Sequence, residues 1–317
     1  MEKSVSIIIP HYNTPRQLER LLDSIYCGDL FQVIVVDDKS DTDVELLEDV
    51  IERHSYIEFY RNETTLKNAG VCRNIGLSHA VGEWVIFADA DDFFVGRMRD
   101  IICDYVDSAY DIVYFKPTSM DEKTGELANR HIYYEELVNA YISNPCDKTM
   151  TRLKYNFCTP WSKLIRRSLF ETYNIYFDEI MVSNDIMCMS KIASYSREIY
   201  ATADVIYCIT MGRNTLTSKY SEDRFDTRVQ MDICRYHYLL EKLSKKEIRW
   251  LCFARNSIDK ILICITQKYG IGKVFRLIHL FLINKVPLFS IEFLSPIKMC
   301  KITYKKVLWL KEFKEHL

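Results

Sequence analysis

Pairing is what the cysteines of this 317-residue chain lack: eleven are scattered singly from Cys27 to Cys300, and no CxxC motif occurs. The seven histidines show no ligand spacing with them either, which excludes a zinc finger or ribbon. Free thiols of this kind suit a reducing cytosol. No secretory leader is expected, because Met1-Glu2-Lys3 runs straight into the apolar segment Val5 to Ile9. A membrane-spanning helix is also missing. The most apolar stretch, Phe275 to Leu294, is broken by Arg276, His279, Lys285 and Pro287. No internal repeat or low-complexity tract is evident, which sets aside solenoids and disordered linkers.

The composition, 48% hydrophobic and 27% charged, is that of a globular protein with one large domain and an appendage, or two modest domains. A net charge of -2 hides an asymmetry. Residues 1–223 carry 23 basic and 36 acidic side chains, and residues 224–317 carry 19 and 8, so the parts stand near -13 and +11. An acidic body with a basic, aromatic-rich tail points to two different surroundings, and nucleic acid or an anionic membrane surface both attract such a tail.

Short runs rich in Val, Ile, Tyr and Phe at 5–9, 33–36, 57–60 and 84–88 predict buried strands. Between them, Leu18, Leu21, Leu22 and Ile25 recur at helical spacing after Thr14-Pro15, as do Val44, Leu47 and Ile51 after Ser40-Asp41-Thr42-Asp43. Strand alternating with helix predicts an α/β protein with an open, mostly parallel sheet whose ligand site lies at the carboxyl ends of the strands. Residues 116–222 read as a less regular elaboration over that sheet, and the pattern turns helical from about 224. In the last segment Ile302, Trp309, Leu310, Phe313 and Leu317 share one helical face with lysines mostly elsewhere. An interfacial helix and a basic helix packed on its own domain both fit that pattern.

The run Glu83 to Asp92 ends a strand in three carboxylates, Asp89, Asp91 and Asp92. At ~4 Å two carboxylates repel by about 1 kcal/mol in water and about 4 kcal/mol at an intermediate dielectric, so the cluster needs compensation. A hard divalent ion holding phosphate oxygens supplies it, whereas an acidic turn closing a strand is the other reading.

Taken in order, VSIIIPHYN at 5–13, VIVVDDKSD at 33–41 and NAGVCRNIGLSHAVGEWVIFADADD at 68–92 resemble the family 2 glycosyltransferases, nucleotide-sugar-dependent enzymes of the GT-A fold. TPWSKLIRRSLF at 159–170, FDEIMVSNDIMC at 177–188 and IYCITMGRNTLT at 206–217 extend the resemblance. It implies a Rossmann-like open sheet flanked by helices, with a helical C-terminal extension. Residues 1–115 would form the donor half, 116–222 the acceptor half and 223–317 a basic helical region able to meet a membrane.

The resemblance also assigns residues. Pro10, Tyr12, Asn13, Asn68, Gly70, Arg73, Asp89 and Ala90 belong to the donor site, and Asp38 or its neighbour Asp37 accepts the N3-H of a uracil or thymine ring. Asp91, with Asp89, holds Mn2+ or Mg2+ against the diphosphate, and Asp89 also lies near the ribose. Asp185 is the base, with capping of the following helix as its alternative, and Trp161, Lys163 and Asn184 line the acceptor side. Asn184 departs from the family pattern, which commonly has glutamate there. The implied activity is transfer of a sugar, with inversion, from a UDP-sugar (dTDP- or GDP-sugar being alternatives) to a glycan or lipid-linked acceptor of a surface polysaccharide such as capsule or lipopolysaccharide. The expected location is the cytoplasm, peripheral on the membrane face, with no nucleic-acid partner. A haloacid-dehalogenase-like phosphatase would want Thr or Val where Phe93 stands and its acidic pair on the first strand. A non-catalytic carbohydrate-binding protein on the membrane accounts for the tail but not for the ordered donor residues.

Overall fold

A computed structural model describes residues 4–25, 28–212 and 221–289. The expected terminal amphipathic helix, with Ile302 and Trp309, lies outside the described residues, as do residues 213–217 of the run 206–217. The chain divides into two compact units after Met211.

The first half of the first unit alternates strand and helix: β1 (Val5–His11), α1 (Pro15–Asp23), β2 (Phe31–Asp37), α2 (Val44–Arg53), β3 (Glu58–Arg61), α3 (Ala69–His79), β4 (Trp84–Phe87). Then come β5 (Phe93–Phe94), α4 (Met98–Cys103), β6 (Ile112–Asp121), α5 (Ile132–Ser143), α6 (Asp147–Asn156), β7 (Lys163–Arg166), α7 (Arg167–Thr172), α8 (Ile186–Tyr195) and β8 (Ile199–Met211).

All eight strands form one sheet in the order β3-β2-β1-β4-β7-β6-β8-β5. β1, β2 and β4 are parallel and almost wholly buried, as continuous Val/Ile runs covered on both faces must be. Helix α1 starts with Pro15 in its first turn, where no N–H is needed, and buries Leu18, Leu21 and Leu22. Beyond β4 the sheet becomes mixed: β7 runs antiparallel to both β4 and β6, while β6 and β8 pair in parallel. The stretch expected to be irregular therefore supplies much of the sheet, including the 10-residue β6 and 13-residue β8.

This topology fixes the acidic loop at both ends. β1 has β2 on one side and β4 on the other, so a crevice opens at their carboxyl ends. The loop leaves β4 there, Ala88 N–H donating to the Ile8 carbonyl at 3.1 Å. It re-enters the sheet at Phe93 as β5, paired with β8 through Phe93–Cys208 and Phe94–Tyr207.

The second unit is helical where described: α9 (Glu222–Lys242), α10 (Lys245–Trp250), α11 (Phe253–Thr266) and α12 (Ile271–Ile283). Ser221 caps α9, and Ser244 with Glu247 forms a capping box on α10. Among the described residues, no helix is long and apolar enough to cross a membrane.

Candidate active site

At the end of β1 and β2 the two neighbouring aspartates have different surroundings. The Thr14 N–H donates to His11 Nε2 at 3.2 Å, which leaves the imidazole proton on Nδ1, 2.9 Å from Asp37 Oδ1. Ser40 adds its hydroxyl to the same oxygen at 2.5 Å and its N–H to Oδ2 at 3.0 Å. Burial alone would raise the Asp37 carboxyl; the hydrogen bonds from His11 and Ser40 outweigh it and hold the group below the ordinary aspartate value. Asp37 is thus spent on joining β1 to the loop after β2. Asp38, also buried, accepts from Asn62 Nδ2 at 2.7 Å.

Asn13, left-handed at φ 52°, clasps that same loop. Its Nδ2 donates to Asp41 at 2.7 Å, and its Oδ1 accepts from the Asp41 N–H at 2.9 Å. Tyr12 is 43% exposed, with the Lys67 ammonium 3.9 Å over its ring. Pro10 is half-buried and pairs with Val36 in the sheet.

The three carboxylates of the acidic loop separate by environment. Oxygens from Asp89, Asp91 and Asp92 all lie within 4.8 Å of one another. Asp92 is buried, with one oxygen taken by the Tyr207 hydroxyl at 2.8 Å and the other by the Thr210 N–H at 2.7 Å. Burial and its acidic neighbours push its carboxyl well above the usual range. Tyr207 also accepts the Asp89 N–H at 2.9 Å, so one hydroxyl ties both ends of the turn.

Asp91 is different, since no side chain among the described residues donates to its carboxylate. Its carbonyl is held by Arg20 at 2.6 Å, and the same guanidinium nitrogen reaches Thr210 Oγ1 at 2.9 Å. Burial, reinforced by the charge of Asp89, pushes the Asp91 carboxyl up to about 6. A carboxylate destabilised in this way, with anionic oxygens converging on it, has the donor set of a hard cation site. Asp91 and Asp89 fit Mn2+ or Mg2+; both oxygens of Asp92 already accept a hydrogen bond from the protein. Ala90, between the two, is buried.

Helix α3 joins this loop to the segment around Asp185. Asn68 caps it, accepting the Val71 N–H at 3.1 Å. Arg73 is buried and donates through one terminal nitrogen to Asp89 Oδ1 at 2.6 Å and through the other to Asn184 Oδ1 at 2.7 Å. Asn74 makes a two-way bond with the Phe177 backbone, at 3.0 Å and 2.8 Å. Gly70 and Gly76 are small for packing: a Cβ at 70 would collide with the Asp178 carbonyl and one at 76 with Ile8. The Asp178 backbone and Ile8 occupy the space beside these glycines.

Ser183, left-handed at φ 59°, turns the chain into Asn184 and Asp185. Asp185 stands at the N-cap of α8, yet its side chain makes no capping bond. Burial raises its carboxyl, and the nearby charges of Arg73 and Lys163 partly offset that. Asn184 is a neutral acceptor for one terminal nitrogen of Arg73, whose Nε is buried without a hydrogen-bond partner.

Two residues expected on the acceptor side are interior. Trp161 is 3% exposed and stacks on Tyr207 at 5.8 Å, with Tyr134 and Phe157 against its edges. Its ring is part of an aromatic wall behind the acidic loop. The buried Lys163 ammonium donates to the carbonyls of Phe157 at 2.5 Å and Thr159 at 2.6 Å, and burial brings it down to about 7. His11, Arg20, Asn62, Tyr207 and Thr210 were not among the expected site residues. Arg20 is half-buried on the face of α1 opposite the stripe of Leu18, Leu21 and Leu22, so helical periodicity did not single it out.

An α/β sheet carrying an aspartate at the end of β2 and a DxD cluster after β4 defines a class of nucleotide-binding transferase folds. The model of "Glycosyl transferase family 2" matches residues 6–173, more than half of the chain, and the protein belongs to that family. It is 26% identical over 240 residues to glycosyltransferase GlyA of Streptococcus pneumoniae, covering 70% of this chain and 32% of that protein. To poly(ribitol-phosphate) β-N-acetylglucosaminyltransferase TarS of Staphylococcus aureus it is 27% identical over 217 residues, covering 64% of this chain and 34% of the relative. The chain thus spans about a third of the length of these two relatives.

The crystal structure of TarS 1-349 in complex with UDP-GlcNAc superposes with a TM-score of 0.57 at 20% identity, over 86% of this chain and 83% of that one. Mannosyltransferase PcManGT from Pyrobaculum calidifontis, in complex with GDP-Man and Mn2+, does so with a TM-score of 0.53 at 15% identity, over 99% and 83%. These likenesses establish the GT-A fold.

Proposed function

We propose that the protein transfers a sugar, with inversion, from a uridine nucleotide sugar to a hydroxyl of a glycan or lipid-linked acceptor in surface-polysaccharide synthesis. The observation that carries this reading is the Arg73 bridge. One buried guanidinium joins the DxD aspartate Asp89 to Asn184, the residue preceding Asp185, so the donor loop and the base segment are held as one assembly.

In this reading Asp38 receives the N3-H of the base, because Asp37 is already engaged by His11 and Ser40, and Tyr12 lines the exposed rim. Asp91 and Asp89 hold Mn2+ or Mg2+, which when bound supplies positive charge to the leaving diphosphate. Arg73 fixes Asp89. Asp185 takes the proton of the acceptor hydroxyl as the oxygen attacks the anomeric carbon; a carboxyl raised by burial is a better base than a solvated one. Asn184 keeps Arg73 in place without adding a second negative charge beside Asp185. Residues 1–115 serve the donor and 116–222 the acceptor. The named activities of GlyA and TarS, and the UDP-GlcNAc and GDP-Man complexes, support a nucleotide-sugar donor.

The test is a thermal-shift screen of UDP-, dTDP- and GDP-sugars with and without Mn2+, since a ligand that binds only the folded state raises its midpoint. A UDP-sugar with Mn2+ should give the largest shift. If no nucleotide sugar stabilises the protein with either ion, the reading is wrong.

A further inference from the structure

Helix α12 carries two apolar stripes, and only one of them is covered. Val274, Leu277 and Phe281 are buried within the second unit. At a helical step of about 100° per residue, Ile271, Phe275, Ile278 and Leu282 form a separate stripe roughly a quarter-turn or more away. Its members Ile271, Phe275 and Leu282 are 72%, 66% and 61% exposed. Ile265 on α11 and Phe289 just after α12 are exposed as well. Exposed apolar side chains gathered on one helix face mark an interaction site.

The charge around the stripe selects its occupant. Residues 253–289 carry six basic side chains, Arg255, Lys260, Lys268, Lys273, Arg276 and Lys285, against one acid, Asp259. Lys260 pairs with Asp232, and Lys273 with Glu222 and Asp226. Lys268, Arg276 and Lys285 are exposed, without an acidic partner among the described residues. A second copy of this face would set like charges together. Residues 290–317, with six lysines against three acids, share the same sign. An anionic bilayer offers what these neighbours do not, an apolar boundary for the stripe and phosphates for the cations.

We propose that α12 is an interfacial helix that docks this protein on an anionic membrane surface, laying Ile271, Phe275 and Leu282 into the headgroup boundary while Lys268, Arg276 and Lys285 meet lipid phosphates. At 13 residues α12 is too short to span, so it lies in the plane. The proposal does not depend on the donor-site reading, and vesicle binding and donor binding fail separately.

The test is flotation of the full chain with phosphatidylcholine vesicles, with and without about 30 mol% phosphatidylglycerol. The parent should float only with the anionic vesicles. Phe275→Ser with Leu282→Ser should lower that binding by at least about tenfold, at unchanged thermal midpoint and mass in solution. Replacing Lys268, Arg276 and Lys285 by Gln should abolish the preference for anionic lipid. Leu127→Ser, which alters a 78% exposed residue of the first unit, should change nothing. The proposal is overturned if the parent ignores anionic vesicles or if the double variant binds as well as the parent. It is equally overturned if the double variant lowers the midpoint or changes the mass, since the stripe would then be covered by this chain or by a second copy.

Discussion

Three neighbouring aspartates of the same loop do different work because burial and hydrogen bonding differ among them. Asp91 carries the least compensated charge, and the metal-free fold keeps its proton up to about pH 6, above the ordinary aspartate value of 3.8. The folded state therefore binds the extra proton between those values, and metal-free stability falls as pH rises through that window. In the proposed reading Mn2+ competes with the same proton. Its stabilising shift should be full near pH 7.5, and its affinity should drop by about tenfold per unit below pH 6. Asp91→Asn should remove the Mn2+ shift while leaving the metal-free midpoint equal or higher, because a buried charge disappears. Asp92→Ala should do the reverse, lowering the midpoint, since it strands the Tyr207 hydroxyl and the Thr210 N–H. Tyr207→Phe should cost about 1–3 kcal/mol, for it leaves the Asp89 N–H and one Asp92 oxygen without their partner. Chemical denaturation with and without Mn2+ distinguishes these variants. Asp89, Asp91, Arg73 and Asp185 could be nominated from the sequence because each stands in a recognisable run. Tyr207 and Arg20 were not, since their bonds to the loop join residues far apart in sequence, Tyr207 to Asp92 across 115 positions and Arg20 to Asp91 across 71.

Among the elements, α3 decides whether the site is assembled. Its polar face holds Asp89, Phe177 and Asn184, and its two small residues let it sit directly on the 178–184 segment and on β1. Gly76→Ala should cost about 1–3 kcal/mol by overpacking against Ile8, with donor binding retained by the fraction that folds. Gly70→Ala meets a backbone carbonyl, so the base segment must shift. Transfer should fall by more than its loss of stability explains, while the nucleotide still binds. Parallel assays of unfolding, donor affinity and turnover separate the two. The central strands β1, β2 and β4 were readable because strands buried on both faces are written as unbroken apolar runs. The residue pattern did not predict β8 as a strand. Its burial is interrupted by exposed Tyr200, Ala203 and Asp204, and its pairing with β6 and β5 depends on chain brought from elsewhere in the sheet. Trp161 illustrates the same limit of local reading, because the sequence does not say which ring lies over it.

At the scale of the whole molecule, charge is divided as the two compact units are, with acid concentrated before residue 224 and base after it. Attachment through exposed lysines and arginines is screened over the Debye length, about 14 Å at 0.05 M salt and about 4 Å at 0.5 M. Raising salt across that range should release the protein from anionic vesicles and leave the donor-induced thermal shift nearly unchanged. The proposed activity rests on one arrangement, in which Asp91, Asp89 and Arg73 would hold a metal and donor with Asp185 set against them. Its most direct test is to measure, on the same preparations, Mn2+-dependent binding of the nucleotide sugar found by the screen and release of the nucleoside diphosphate, for the parent and for Asp185→Asn. The parent should bind and turn over, and Asp185→Asn should bind with similar affinity and release at least about a hundredfold less product. Turnover by Asp185→Asn at near the parent rate would contradict the assignment of the base, and a parent that neither binds nor cleaves any nucleotide sugar would contradict the account as a whole.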